Sequence, residues 1–140
     1  MAINRPTTKT IISTTQWGIP ITDAVNLNVT DIAALKTATA VTAWTNLVLT
    51  NGWTNVGGWG IPQYRKVGDM VQLRGLVSGG AANSSLTTLP VGFRPPDQMT
   101  LPYAVNGTGA NYLSIQPTGS VQPFVAGYCS LSGLSFSTTA

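Results

Sequence analysis

Residues 44–53 read Trp44-Thr45-Asn46-Leu47-Val48-Leu49-Thr50-Asn51-Gly52-Trp53, and their reading decides the fold. Trp, Leu, Val and Thr in partial alternation predict a strand over Thr42 to Thr50. Asn51-Gly52 follows as a hairpin signal, because both residues tolerate positive φ. Trp53 then opens a return strand. Val56 to Pro62 reads as a glycine-rich loop. Gln63 to Lys66 leads into the turn Val67-Gly68-Asp69. From Met70 to Val77 the sequence alternates: Val71, Leu73, Gly75 and Val77 face one way, Met70, Gln72, Arg74 and Leu76 the other. The second set mixes polar and apolar residues, so its face is expected to meet something.

The same rhythm continues to the end. Ser78 to Ser84 is a loop of small residues, and Ser85 to Leu89 a short strand. Leu89-Pro90-Val91-Gly92-Phe93-Arg94-Pro95-Pro96 is extended but not a central strand, since proline cannot donate to the ladder. Strands are predicted at Met99 to Val105, Tyr112 to Ile115, Val121 to Val125 and Tyr128 to Phe136. Their turns are Asn106-Gly107-Thr108-Gly109 and Pro117-Thr118-Gly119-Ser120. Strands spaced by roughly ten residues predict an all-β, antiparallel sandwich of jelly-roll type. Residues 39–140 are assigned to it.

Ahead of it stand two other pieces. Residues 1–20 are polar and Thr-rich, with Pro6 and Pro20 as breakers, and read as an extended arm. Its anchor candidates are Arg5, Pro6, Trp17 and Ile19. Residues 21–38 hold the one predicted helix, from Thr22 as cap to about Lys36. Ile21, Val25, Ile32 and Leu35, with Asn28 at the remaining heptad position, form a seam suited to a very short coiled coil with one polar layer. The same stripe also suits a helix lying on its own sandwich.

Composition narrows the function. The chain has 140 residues, 43% of them hydrophobic, a length for one domain and an appendage. Charged residues make up only 8%, against about 25% in an average soluble protein. A surface so poor in charge suits a subunit that hides part of its exterior against copies of itself. The net charge of +3 reflects scarce acids more than clustered bases, so no nucleic-acid partner is expected. No apolar leader and no membrane-length apolar run is visible, so neither secretion by a signal peptide nor membrane insertion is expected.

Catalytic constellations are missing from the sequence. Histidine and glutamate do not occur, which removes Ser-His-Asp and Cys-His pairs and leaves the single Cys129 without an activating base. Cys129 sits among apolar residues and reads as core. No Cys/His cluster for zinc and no phosphate loop is present, so no metal or cofactor is expected. Of the four aspartates, Asp69 and Asp97 are the one couple conceivable as a glycosidase pair, and each reads better as a turn residue. What remains is binding. Trp53, Trp59, Tyr64, Tyr103 and Tyr112 lie in or near predicted loops, where aromatic faces can stack on sugar rings. Trp44 is assigned to the core. Arg74 and Arg94 are candidate intersubunit anchors.

The Trp-led strand ending in Asn51-Gly52-Trp53 combines with Tyr64-Arg65-Lys66-Val67-Gly68-Asp69, Val71-Gln72-Leu73-Arg74-Gly75 and Leu89 to Pro96. Together they resemble a module found in tail-fibre and minor tail proteins of siphophages. The final strand from Ser130 to Phe136 fits the same pattern. The arm, from Ile3 to Pro20, is similar to the leader of small actinobacteriophage tail proteins. The resemblance implies a homotrimeric, non-enzymatic β-sandwich knob, made in the host cytoplasm and built into the virion. Its arm would join other tail or capsid proteins, and its loops would contact a host surface glycan. This chain has almost no shaft, a departure from longer fibres that leaves a capsid decoration or head-fibre role open.

Overall fold

The structure, a computed structural model, describes residues 21–103 and 111–140, with backbone alone for 21–28. The chain divides into two units between Ala38 and Thr39. In the first, α1 spans Ile21–Ala38 and carries Lys36 in its last turn, where a cation suits the carbonyl end of the helix. It starts one residue before the predicted cap. Val29, Ile32 and Leu35 are exposed on it. The anchor residues Arg5, Pro6, Trp17 and Ile19, and the side chains of Ile21, Val25 and Asn28, lie outside the described residues.

The second unit holds eleven short strands: β1 (Thr45–Asn46), β2 (Thr54–Asn55), β3 (Gln63–Val67), β4 (Met70–Arg74), β5 (Leu76–Ser78), β6 (Thr87–Thr88), β7 (Met99–Tyr103), β8 (Asn111–Ile115), β9 (Ser120–Pro123), β10 (Cys129–Ser130) and β11 (Ser135–Ser137). They pair antiparallel in three sheets ordered β1-β3-β4-β11, β10-β5-β2 and β6-β9-β8-β7. The predicted all-β sandwich is what forms. Val71, Leu73 and Val77 from the first two sheets bury with Leu113, Ile115 and Val121 from the third, and Leu86, Leu89 and Leu131 complete the interior. Each such side chain contributes roughly 1.5–3 kcal/mol when fully buried. The alternation predicted from Met70 to Val77 holds along the strand, with Val71, Leu73 and Val77 inside.

Gly75 interrupts that run. Its φ of +103° and the backbone of Pro62, 2.7 Å from where a Cβ would sit, exclude a side chain. The chain changes sheets there, from β4 to β5. Across from it, the predicted single strand Tyr128 to Phe136 breaks in the same way. β10 pairs with β5, β11 pairs with β4, and the turn between them bonds Gly75 from both sides: Leu131 N–H donates to the Gly75 carbonyl (2.9 Å), and Gly75 N–H to Ser132 Oγ (3.1 Å).

A second difference concerns the hairpin at Asn51-Gly52. The turn itself forms, with φ of +53° and +80° as its residues suit. Its flanks do not pair with each other, however. β1 joins β3, and β2 joins β5. Thr50 Oγ1 and Asn51 Nδ2 both donate to the Ser85 carbonyl, at 2.9 and 2.8 Å, and tie the turn to a distant loop instead. Tertiary bonding here overrides the local signal. The β3–β4 turn at Gly68 and the β8–β9 turn at Pro117-Thr118-Gly119 follow the sequence reading. Leu89 to Pro96 forms no strand, as its prolines predict. The predicted turn at Asn106-Gly107 lies outside the described residues.

Candidate functional site

The five candidate aromatics separate into three environments. Trp53 is only 3% exposed. Its indole N–H donates to Ser84 Oγ at 2.9 Å, and it packs against Gly80, where an added Cβ would overlap the ring. Tyr103 is likewise in the core, its hydroxyl buried without a hydrogen-bond partner and beside the Cys129 thiol. Burial pushes the Tyr103 phenol up to about 12, with Cys129 adding to the shift, and burial pushes the Cys129 thiol up to about 12 as well. At neutral pH both stay protonated, so Cys129 is an inert core thiol. Trp53 and Tyr103 therefore leave the list of surface contacts. A buried ring cannot stack on a ligand from solution.

Tyr64 stands between. It packs against the core and meets Phe93 edge-on, at 4.9 Å between centroids and 83° between planes. Its ring is committed to holding the Pro90–Pro96 segment. Trp59 and Tyr112 are the two that reach solvent, 66% and 46% exposed. Trp59 sits at the tip of a loop in which Gly58 and Gly60 have positive φ, and a Cβ on Gly57, Gly58 or Gly60 would meet nothing within 4 Å. Tyr112 lies on the outer face of the third sheet. Strand register sets Pro102 beside it, and Phe124 N–H donates to the Tyr112 carbonyl at 2.9 Å from the other side. Pro102, Tyr112 and Phe124 thus make an exposed row. The next row on that face is polar: Gln98 donates to Ser114 at 3.2 Å, and Gln116 donates to Gln122 at 3.1 Å. The Ser114 hydroxyl is buried, so the amides are what this face offers; flat rings beside amides are chemistry that takes a sugar ring, apolar on one face and rimmed with hydroxyls.

Sequence reasoning missed Phe124, which it had left inside a strand, and it misplaced Trp44. That ring is half-buried on the outer face of the first sheet, not in the core. Its strand neighbours Arg65 and Arg74 gave a signal, since alternation put Arg74 and Gln72 outward. Arg94 bonds within its own chain, Nε donating to the Leu89 carbonyl at 2.8 Å, and so fastens the proline segment. Asp69 and Asp97 are exposed, and among the described residues no group of three or more His, Cys, Asp or Glu could hold a metal. No described helix is long and apolar enough to cross a membrane.

A similar fold occurs in the crystal structure of the receptor binding protein (gp15) of Listeria phage PSA. The likeness covers 83% of this chain and 76% of that one, with a TM-score of 0.58 and 17% sequence identity. At that identity the likeness is one of fold. No family model matches the sequence, and no curated protein matches it.

Proposed function

We propose that the chain is a non-enzymatic phage virion protein, a small tail fibre or tail-tip adhesin that contacts a glycan on the host surface. The observation that carries this reading is the fold likeness to a phage receptor binding protein. The tail-protein pattern of residues 44–96 agrees with it. Trp59 and the row Pro102, Tyr112 and Phe124 are the contact surfaces, because they are exposed and aromatic or apolar, and the row has the amides of Gln116 and Gln122 on its own sheet face. In this reading the knob presents them outward, and the arm, through Arg5, Pro6, Trp17 and Ile19, joins the particle.

Three copies assemble through the helix. Ile32 and Leu35 are apolar and exposed on α1, as seam residues of a single copy should be. The helix alone is marginal at 18 residues, so the sandwich must supply the rest of any trimer interface. Light scattering of the intact chain at micromolar concentration should give the trimer mass; a monomer would reject the assembly.

Two measurements test the function. Antibody labelling of virions under the electron microscope should place the protein at the tail tip; labelling over the capsid would favour a decoration or head-fibre role. Purified protein should adsorb to host cells, and a Trp59→Ala, Tyr112→Ala double variant should adsorb at least tenfold less. Equal adsorption would remove these aromatics from the contact.

A further inference from the structure

The outer face of the first sheet carries a second, chemically different arrangement. Register sets Gln63 opposite Arg74 and Arg65 opposite Gln72 on β3 and β4, so all four share one face. Trp44, just before β1, completes it. The Arg74 guanidinium lies 4.1 Å and the Arg65 guanidinium 4.5 Å from the indole centroid. Arg65 Nε donates to Gln72 Oε1 at 2.8 Å. Arg74 donates through Nε (2.8 Å) and Nη2 to Gln63 Oε1. Both cations are thus oriented by neutral amides. Among the described residues neither meets a carboxylate, and both Nη groups of Arg65 and Nη1 of Arg74 have no protein acceptor.

Packing explains one arginine here but not two. A single guanidinium stacked on an indole is an ordinary surface contact. A second beside the same ring adds repulsion between like charges of the same order. The sandwich unit has only Asp69 and Asp97 to set against Arg65, Lys66, Arg74 and Arg94. Lys66 and Arg94 are bonded to carbonyls of their own chain, at Gly92 and Leu89. Of the four cations, Arg65 and Arg74 are the two that share one ring, so two positive charges without a carboxylate stand together at Trp44. A groove of about 290 Å³ opens there, lined by Trp44, Gln72, Arg74, Gly133 and Ser135 among others. That is the small end of ligand-site volumes.

We propose that this face binds the phosphate or carboxylate group of an anionic saccharide. The oxyanion takes the outward N–H groups of Arg65 and Arg74 and neutralises the pair, since a guanidinium fork matches two oxygens of one oxyanion. The sugar or polyol part lies in the groove, over Gly133 and against Ser135 and Gln72. The glutamines hold both forks in place before the ligand arrives, which lowers the cost of ordering them. A second copy of the chain is a poorer occupant, because it brings the same excess of cations. The proposal is independent of the aromatic contacts at Trp59 and Tyr112, which lie on other elements.

The test is a titration of ¹⁵N-labelled chain with glucose 6-phosphate, glucuronate and glucose, read at the arginine Nε–H and indole N–H signals. A Trp44→Phe variant assigns the Trp44 indole. Saturable shifts at Arg65, Arg74 and Trp44 are expected with one or both anions and none with glucose. The two anion arms tell phosphate from carboxylate. Binding should weaken several-fold as NaCl rises from 50 to 300 mM. Arg74→Gln should lower affinity at least tenfold. Arg65→Lys, which keeps charge but loses the fork, should cost less, and an unchanged Trp53 indole signal in each variant certifies the fold. Shifts of equal size with glucose, no shift with either anion, or an Arg74→Gln variant of altered native mass would each overturn the proposal, the last by placing the face between copies.

Discussion

Trp53 and Trp59 stand close in the chain, each after a glycine in a turn-rich stretch, with Trp59 alone having a second glycine after it. The structure treats them oppositely. Trp53 is sealed in the core with its N–H satisfied by Ser84, whereas Trp59 projects from an open glycine loop. The glycines on both sides of Trp59 are a local cause of its exposure, but what buries Trp53 is not local. Gly80, far along the chain, leaves the space that the Trp53 ring fills, and among the described glycines none leaves such a space for Trp59. A tryptophan goes inside where a distant segment has made room for it, and that segment sets whether the ring stabilises the fold or stays available for a ligand.

Substituting Trp53 with alanine tests the comparison hardest. Removing a buried indole leaves a cavity the surrounding strands cannot fill, and the loss should be about 3–5 kcal/mol by denaturant unfolding. Gly80→Ala should also destabilise strongly, since it crowds the same ring from the other side. A Trp53→Ala variant unfolding like the parent would mean that the ring is not core.

Alkaline pH should produce the next effect. Cys129 and Tyr103 both have folded-state pKa values raised above their unfolded ones, to about 12. Each is an acid whose neutral form is favoured by burial. Their contribution is therefore complete below about pH 8, where both states hold both protons, and is lost as pH rises toward 12, where unfolding releases them. Unfolding midpoints should fall between pH 8 and 11. Cys129→Ala should flatten that fall while lowering stability at pH 8, because it removes the titration together with a small buried side chain. An identical pH slope in the variant would rule out the thiol as a source.

Trp44 is the intermediate case. It is half-buried with two guanidiniums against its ring, so Trp44→Ala should cost about 1–2 kcal/mol, from partial burial and lost cation–π contact. A loss as large as that at Trp53 would return the ring to the core.

These three tryptophans also show what sequence could and could not tell. Positive-φ turns were legible because their residues encode them: Asn51-Gly52, Gly68 and Gly119 all turn where expected. The inward set Val71, Leu73 and Val77 was legible from alternation. The change of sheet at Gly75 was not, because it depends on Pro62 lying against the backbone and on Ser132 reaching across. The hairpin pairing failed for the same kind of reason, as Ser85 captured the turn. Exposure of Trp59 was legible from its flanking glycines. Exposure of Phe124 and the grouping of Trp44 with Arg65 and Arg74 needed strand register, which alternation within one strand does not supply.

Trp59→Ala is the smallest perturbation and the sharpest separator. With two-thirds of the ring already in solvent, its removal should change stability by no more than about 0.5 kcal/mol. The glycines beside it hold φ values that do not depend on the side chain, so the loop should keep its course. If the ring is a contact, adsorption to host cells should fall while the unfolding curve stays in place. A fall in both together would show that Trp59 supports the loop instead, and the contrast with Trp53 would then be one of degree. Stability and adsorption both unchanged would leave the row of Pro102, Tyr112 and Phe124 as the remaining aromatic surface.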